Sequence, residues 1–147
     1  MQLDVADLTL PQEDRRQLIC WAAACVERLL PLFEADRPVD PRLAAALDGA
    51  RQFAAGQLSV GPMRKLAVGC HAAAHDARTI PAIAVARACG QAVAVAHMAG
   101  HSREIARYTG RAIVGEVLTQ ELQWQPTHLP ARFGEYVYGN AAQHCLR

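Results

Sequence analysis

Between Ile80 and Met98 the chain carries a single formal charge, at Arg87, and only Gln91 and His97 otherwise break a stretch that is apolar nearly all round. A helix without a polar face has to be surrounded by other helices. This one segment therefore sets the expectation for the whole molecule: an all-α, compact bundle of about five helices around a central apolar helix, with a short C-terminal helical segment. Alanine supports the same reading. It supplies 29 of the 147 residues, while aromatics make up 5%. Alanine is the strongest helix former and leaves little side chain between packed helices.

The remaining helices are predicted from apolar periodicity. Thr9 and Gln12 have capping-box spacing, with Pro11 in the first turn, and Leu18, Ala22, Cys25, Leu29 and Phe33 then share one face up to about Glu34. Pro31 predicts a kink or an early end. Arg37-Pro38-Val39-Asp40-Pro41 reads as a stiff connector in which Asp40 caps the second helix. That helix buries Leu43, Leu47, Ala50, Phe53 and Ala54 and stops at Gly56. Ser59 opens a third, with Met63, Leu66, Ala67, Cys70 and Ala74 as its stripe, and Thr79 with Pro81 opens the apolar fourth. Gly100 and Ser102 suggest a break, after which a fifth helix is predicted from about Arg103 to Leu122. From Gln125 onward, prolines, glycines and aromatics predict one short helix over the bundle. At this length, 52% hydrophobic and 20% charged residues fit one globular domain over 1–147.

The net charge of +1 conceals an asymmetry: net −4 over residues 1–40, +6 over 41–115 and −1 over 116–147. No basic run or arginine–aromatic interleaving points to nucleic acid. No apolar run approaches membrane-spanning length, so no membrane partner is expected. Cys20, Cys25, Cys70, Cys89 and Cys145 form no Cys-x-x-Cys pair and read as reduced, buried thiols. The acidic start MQLDVADLTL has no secretory character, and a cytoplasmic location is expected.

Two His-x-x-x-His spacings, His71/His75 and His97/His101, place imidazoles on one helical face and are the candidate metal ligands. Ala72 and Met98 stand where zinc proteases of the His-Glu-x-x-His type carry their base, and His71 and His75 lie on a polar side. His97 alone reads as a neutral core histidine bonded to a neighbouring helix. Nucleophilic catalysis has little to build on: Ser59 and Ser102 read as caps, and Cys70 and His71 are helix neighbours that diverge by about 100°. Gly110 and Gly115 have P-loop spacing, but Glu116 replaces the lysine. No catalytic residue, metal or cofactor is assigned. Arg103, Arg107 and Arg111 form a stripe that reads either as a docking edge for an acidic partner or as a solvated face, and the early acidic residues invite the mirror reading.

The segment A-V-A-R-A-C-G-Q-A-V-A-V-A-H-M-A-G-H, residues 84–101, resembles the central signature of the immunity-five-like group, a helical family of immunity proteins in bacterial polymorphic toxin systems. W-A-A-A-C-V-E-R-L-L-P-L-F-E, residues 21–34, is similar to the family's first helix, including Glu27 and the Pro31-Leu32-Phe33 corner ahead of Arg37-Pro38. The stretch from Trp124 to Pro130 resembles its C-terminal part. Gly100 departs from the pattern, standing where an acidic residue is expected between the two histidines. The resemblance implies a non-catalytic protein that binds a co-produced toxin. Two other classes stay open on the residues alone: a metal-binding helical protein using the histidine pairs, and a self-associating module dimerising through the fifth helix or the C-terminal segment.

Overall fold

The computed structural model describes residues 2–139. Seven α-helices and two short 3-10 segments make up the regular structure of those residues. They are α1 (Gln12–Asp36), α2 (Arg42–Ala54), α3 (Val60–Asp76), α4 (Ile80–Ala94), a 3-10 segment (Ala99–Glu104), α5 (Ile105–Ala112), α6 (Gly115–His128), a second 3-10 segment (Ala131–Phe133) and α7 (Gly134–Tyr138). None of these helices is long and apolar enough to cross a membrane.

The apolar helix is central, as its composition requires. α4 packs against α1, α2, α3 and α5. Ala82, Val85, Ala86, Ala88, Cys89, Ala92 and Val93 have no exposed surface. Around it, α1 contributes Leu18, Ile19, Cys25, Val26 and Phe33, α2 contributes Leu43, Leu47 and Phe53, and α3 contributes Met63 and Cys70. Thr79 caps α4 as its sequence predicts, its Oγ1 accepting the Ala82 N–H at 3.2 Å. Asp40 serves α2 similarly, accepting the Arg42 N–H at 3.1 Å. Gly56 closes α2 at φ +77°, a backbone conformation that side chains resist.

Several boundaries differ from the sequence reading. The Thr9–Gln12 capping box does not form. Pro11 occupies the cap position of α1, preceded by Leu10 at φ +56°, and the Asp7 carboxylate instead accepts the N–H groups of Thr9 and Leu10, each at 3.1 Å. Pro31 does not end α1. It sits on the exposed side, where a missing N–H is tolerated, and the helix continues to Asp36. α4 ends at Ala94 rather than Met98. The single fifth helix becomes a 3-10 segment, α5 and α6, because Ile113 and Val114 are extended and Gly115 sits at φ +71°. The C-terminal segment is a 3-10 turn followed by α7, and Phe133 and Tyr136 lie in the core.

Polar contacts lace the ends of the chain together. Arg15 donates to the carbonyls of Leu10 and Ala96, the Tyr136 hydroxyl donates to Asp7 O, and Arg103 donates to Tyr136 O and Val5 O. The Trp21 indole N–H donates to the Gln125 carbonyl at 2.7 Å, and the fully buried Gln125 side chain donates to Thr109, which in turn donates to Ile105 O. These bonds fix α6 against α1 and α5. Cys25, Cys70 and Cys89 are buried thiols as expected, Cys20 is exposed instead, and Cys145 lies outside the described residues.

Candidate functional site

The first candidate group is the histidines. Gly90, in the middle of α4, lets α3 lay the His71 ring directly on the helix backbone: a Cβ at Gly90 would fall 2.7 Å from His71 Cε1. The Arg87 guanidinium, 3.3 Å from His71 Nδ1, can only donate, so Nδ1 is an acceptor and the ring is the neutral tautomer protonated at Nε2. His101 Nδ1 lies 2.8 Å from Gln91 Oε1, an acceptor, and so carries its proton there. Its ring meets that of His97 edge-on at 5.4 Å.

All three imidazoles are held below the ordinary histidine pKa. Burial is the first cause in each case. Arg87, His101 and His75 add to it at His71, and His101, Arg64 and Arg15 add to it at His97, while Glu104 opposes it at His101. His97 is therefore neutral, but it is half-buried beyond the end of α4, and its buried Nδ1 has no hydrogen-bond partner. That corrects its reading as a bonded core histidine. His75 is exposed, one turn along α3. Among the described residues, no three His, Cys, Asp or Glu side chains are grouped to hold a metal ion.

The arginine stripe is the second candidate, and the structure divides it. Arg103 belongs to the 3-10 segment and is engaged internally, stacked 4.4 Å from the Tyr136 ring centroid and bonded to two carbonyls. Arg107 and Arg111, on α5, are exposed and flank Tyr108, at 5.5 and 5.4 Å from its ring centroid. Tyr108 stands between two depressions. One, about 180 Å³, lies between α4 and α5, with Ile80, Ile83 and Arg87 on one side and Arg111 on the other. The second, about 380 Å³, continues past Gln91, His101 and Glu104 to Met98 and Leu8. The wall residues recur at helical spacing: 80, 83, 84, 87 and 91 on α4, and 104, 107, 108 and 111 along the 3-10 segment and α5. The groove thus has an apolar strip, a central phenol and a predominantly positive rim.

Several carboxylates of the acidic N-terminal region are engaged elsewhere. Asp14 pairs with Arg132 at 2.6 Å, Glu27 pairs with Arg51, and Asp40 binds Arg42, which also reaches Asp76 at 2.7 Å. The Asp36 carboxylate accepts the N–H groups of Arg78 and Thr79 at the start of α4, and those bonds hold its pKa below the carboxylate range. The Arg42 side chain holds Asp40 down at about 2. Arg107 pairs with Glu104 at 3.1 Å. Among the described residues, Arg87 and Arg111 form no ion pair with a carboxylate.

The nucleophile candidates remain apart. Ser59 is at the cap position of α3 without a side-chain cap bond, and Ser102, read as a cap, is instead buried inside the 3-10 segment with its Oγ unpartnered. Burial pushes the Cys25 thiol up, and the neighbouring Cys70 thiol together with burial does the same at Cys89. Gly110 lies on α5 and Gly115 begins α6, so the two do not share the phosphate-cradling loop that a P-loop needs.

No curated protein and no solved structure matches the chain. The family described as Imm-5 like putative immunity protein matches residues 8–132, from the Asp7 turn through all the walls of the groove to the second 3-10 segment. On that extent, this chain belongs to the Imm-5 like immunity protein family.

Proposed function

We propose that this protein neutralises a cognate bacterial toxin by stoichiometric binding, without catalysis. The observation that carries the reading is the family match over residues 8–132. The physical picture supports it. A bundle whose helices are tied by buried bonds such as Trp21–Gln125 offers a preorganised surface, so association loses little to ordering. The exposed Arg107 and Arg111 beside Tyr108 are the residue types that dominate protein–protein hot spots. The buried free thiols Cys25, Cys70 and Cys89 suit a reducing compartment, and we place the encounter in the cytoplasm.

The test is co-expression with the polypeptide encoded beside this chain's gene, followed by measurement of survival and of the mass of any complex. Protection that scales with the amount of protein, and a complex of fixed stoichiometry, are the expected results. Protection by trace amounts that process many toxin molecules would instead reveal an enzyme. No protection and no complex would end the proposal.

A further inference from the structure

The α4–α5 groove presents two features that an isolated bundle does not need. The first is apolar. α4 is enclosed along most of its length, yet Ile80 is 74% exposed, and it lines the groove together with Ile83, which is partly buried and packs against the core. The second is charge. The guanidiniums of Arg87 and Arg111 lie on opposite walls of this depression without carboxylate partners among the described residues, while Asp14, Glu27, Asp36 and Asp40 are each held by other parts of the bundle. Within the same groove, Glu104 already shows how a carboxylate is received: Arg107 takes it at 3.1 Å beside the Tyr108 ring.

We infer that this groove is the docking site for an acidic segment of the partner protein, one carrying carboxylates for Arg87 and Arg111 and apolar side chains for the Ile80–Ile83 strip. The assignment rests on the toxin-binding reading and gives it a surface and a chemistry. Charge complementarity fixes the sign of the occupant, since a basic segment would place like charges against both walls. The aromatic centre fixes the register, because a tyrosine between arginines offers a rigid apolar face with a polar tip. Arg103 has no part in it, being bonded to Val5 O and Tyr136 O.

Two measurements test the inference and keep it distinct from the toxin-binding reading. In the first, the full-length protein is titrated with the adjacent gene's product as wild type, as Arg111→Glu, as Arg87→Glu/Arg111→Glu, and as Lys65→Glu. Lys65 is exposed on α3, so its variant is an equal charge change away from the groove. Arg111→Glu should weaken binding about tenfold and the double variant about a hundredfold, with Lys65→Glu within about threefold. Arg87 touches His71, so the melting temperature of each variant is recorded, and Arg111→Glu alone carries the test if the double variant is unstable. Equal losses for Arg111→Glu and Lys65→Glu, or none for a folded groove variant, overturn the groove while leaving toxin binding intact.

The second measurement uses no toxin. A short synthetic peptide of glutamate and leucine should perturb the backbone amide signals of Ile83, Arg87, Tyr108 and Arg111, and a lysine–leucine peptide should not. Perturbation by both peptides alike, by neither, or at a different face overturns the groove whatever the toxin does. Perturbation by the acidic peptide combined with no toxin binding removes the toxin and keeps the groove.

Discussion

Replacing Gly90 by alanine should reverse its effect on stability according to whether His71 is present. In an ordinary helix interior, Gly→Ala stabilises by about 1 kcal/mol. At Gly90 the added Cβ would lie 2.7, 2.9 and 3.1 Å from Cε1, Nε2 and Nδ1 of His71, distances at which the ring has to move. Moving it breaks the contact with Arg87, a loss of about 1 kcal/mol, and forces the ring against neighbouring side chains, an overpacking cost of ~1–3 kcal/mol. Set against the helix gain, the net is a destabilisation of about 1–3 kcal/mol. In the His71→Ala background the obstacle is gone, and the same substitution should stabilise by about 1 kcal/mol.

The coupling between the two positions is therefore about 2–4 kcal/mol, far outside the few tenths expected of independent sites. Urea unfolding followed by circular dichroism on the four proteins of the cycle measures it. At pH 8 the imidazoles are neutral in every state, so protonation does not enter the comparison. Gly90→Ala should lower the midpoint in the wild-type background and raise it beside His71→Ala, with an unchanged slope in both. If it shifts the midpoint in the same direction in both backgrounds, the ring does not rest on the α4 backbone as described.

Other substitutions follow from single bonds. Trp21→Phe removes the 2.7 Å bond to the Gln125 carbonyl inside the α1–α6 contact and should cost about 1–3 kcal/mol by chemical denaturation; a loss within error would mean that this bond does not hold α6. Thr79→Ala deletes the α4 cap and should cost about 1 kcal/mol, whereas Thr79→Ser should retain most of that stability, and equal losses for the two would rule out capping as the cause. Acid should also weaken the fold through the three histidines. Their folded pKa values lie below the ordinary value of about 6.5, so between 6.5 and those values the unfolded chain binds protons that the folded chain does not. This contribution is constant above neutrality, is lost as pH falls through that window, and levels off below it. Urea midpoints from pH 8 to pH 5 should fall less steeply for the triple His71→Gln/His97→Gln/His101→Gln variant, and parallel curves would refute the assignment.

The helices and their core faces were legible in the sequence wherever the signal was local. Thr79, Pro81 and the apolar run behind them define the start of α4, and Leu43, Leu47, Ala50 and Phe53 mark the buried face of α2 by spacing alone. The misreadings occurred where competing local chemistry decided the backbone. Asp7 took the turn that Thr9 and Gln12 were expected to make, and two β-branched residues ahead of Gly115 split a helix that periodicity alone would continue. The arginine stripe failed at Arg103 for a geometric reason. A 3-10 turn has about three residues rather than 3.6, so the i, i+4 register from Arg103 to Arg107 does not survive the passage from 3-10 to α-helix at Ile105.

The groove and the histidine cluster required tertiary information, because each joins residues from separate elements. Spacing offered a trace of the groove, since 80, 83, 87 and 91 face one way on α4 as 104, 107, 108 and 111 do along the 3-10 segment and α5. Nothing local says that these two rows oppose one another, or that Arg87 joins Arg107 and Arg111. Nor does the pair spacing of the histidines reveal that His71 meets α4 at Gly90 while His75 stays outside.

The charge asymmetry acquires its meaning from this arrangement. Exposed ion pairs contribute little to stability, typically less than about 1 kcal/mol each, so the pairs Asp14–Arg132 and Glu27–Arg51 are weak grounds for a stable fold. Their stronger consequence is electrostatic. Each neutralises an α1 carboxylate with an arginine from another element, which reduces the negative field of the acidic N-terminal region and leaves Arg87 and Arg111 uncompensated across the groove. A partner approaching this groove therefore meets a positive rim on a chain whose net charge is only +1. Added salt should then slow association at the groove while changing the dissociation rate much less, because screening acts on the steering field of the exposed rim while the Ile80–Ile83 contact is apolar. An association rate independent of salt would mean that the rim does not steer the encounter.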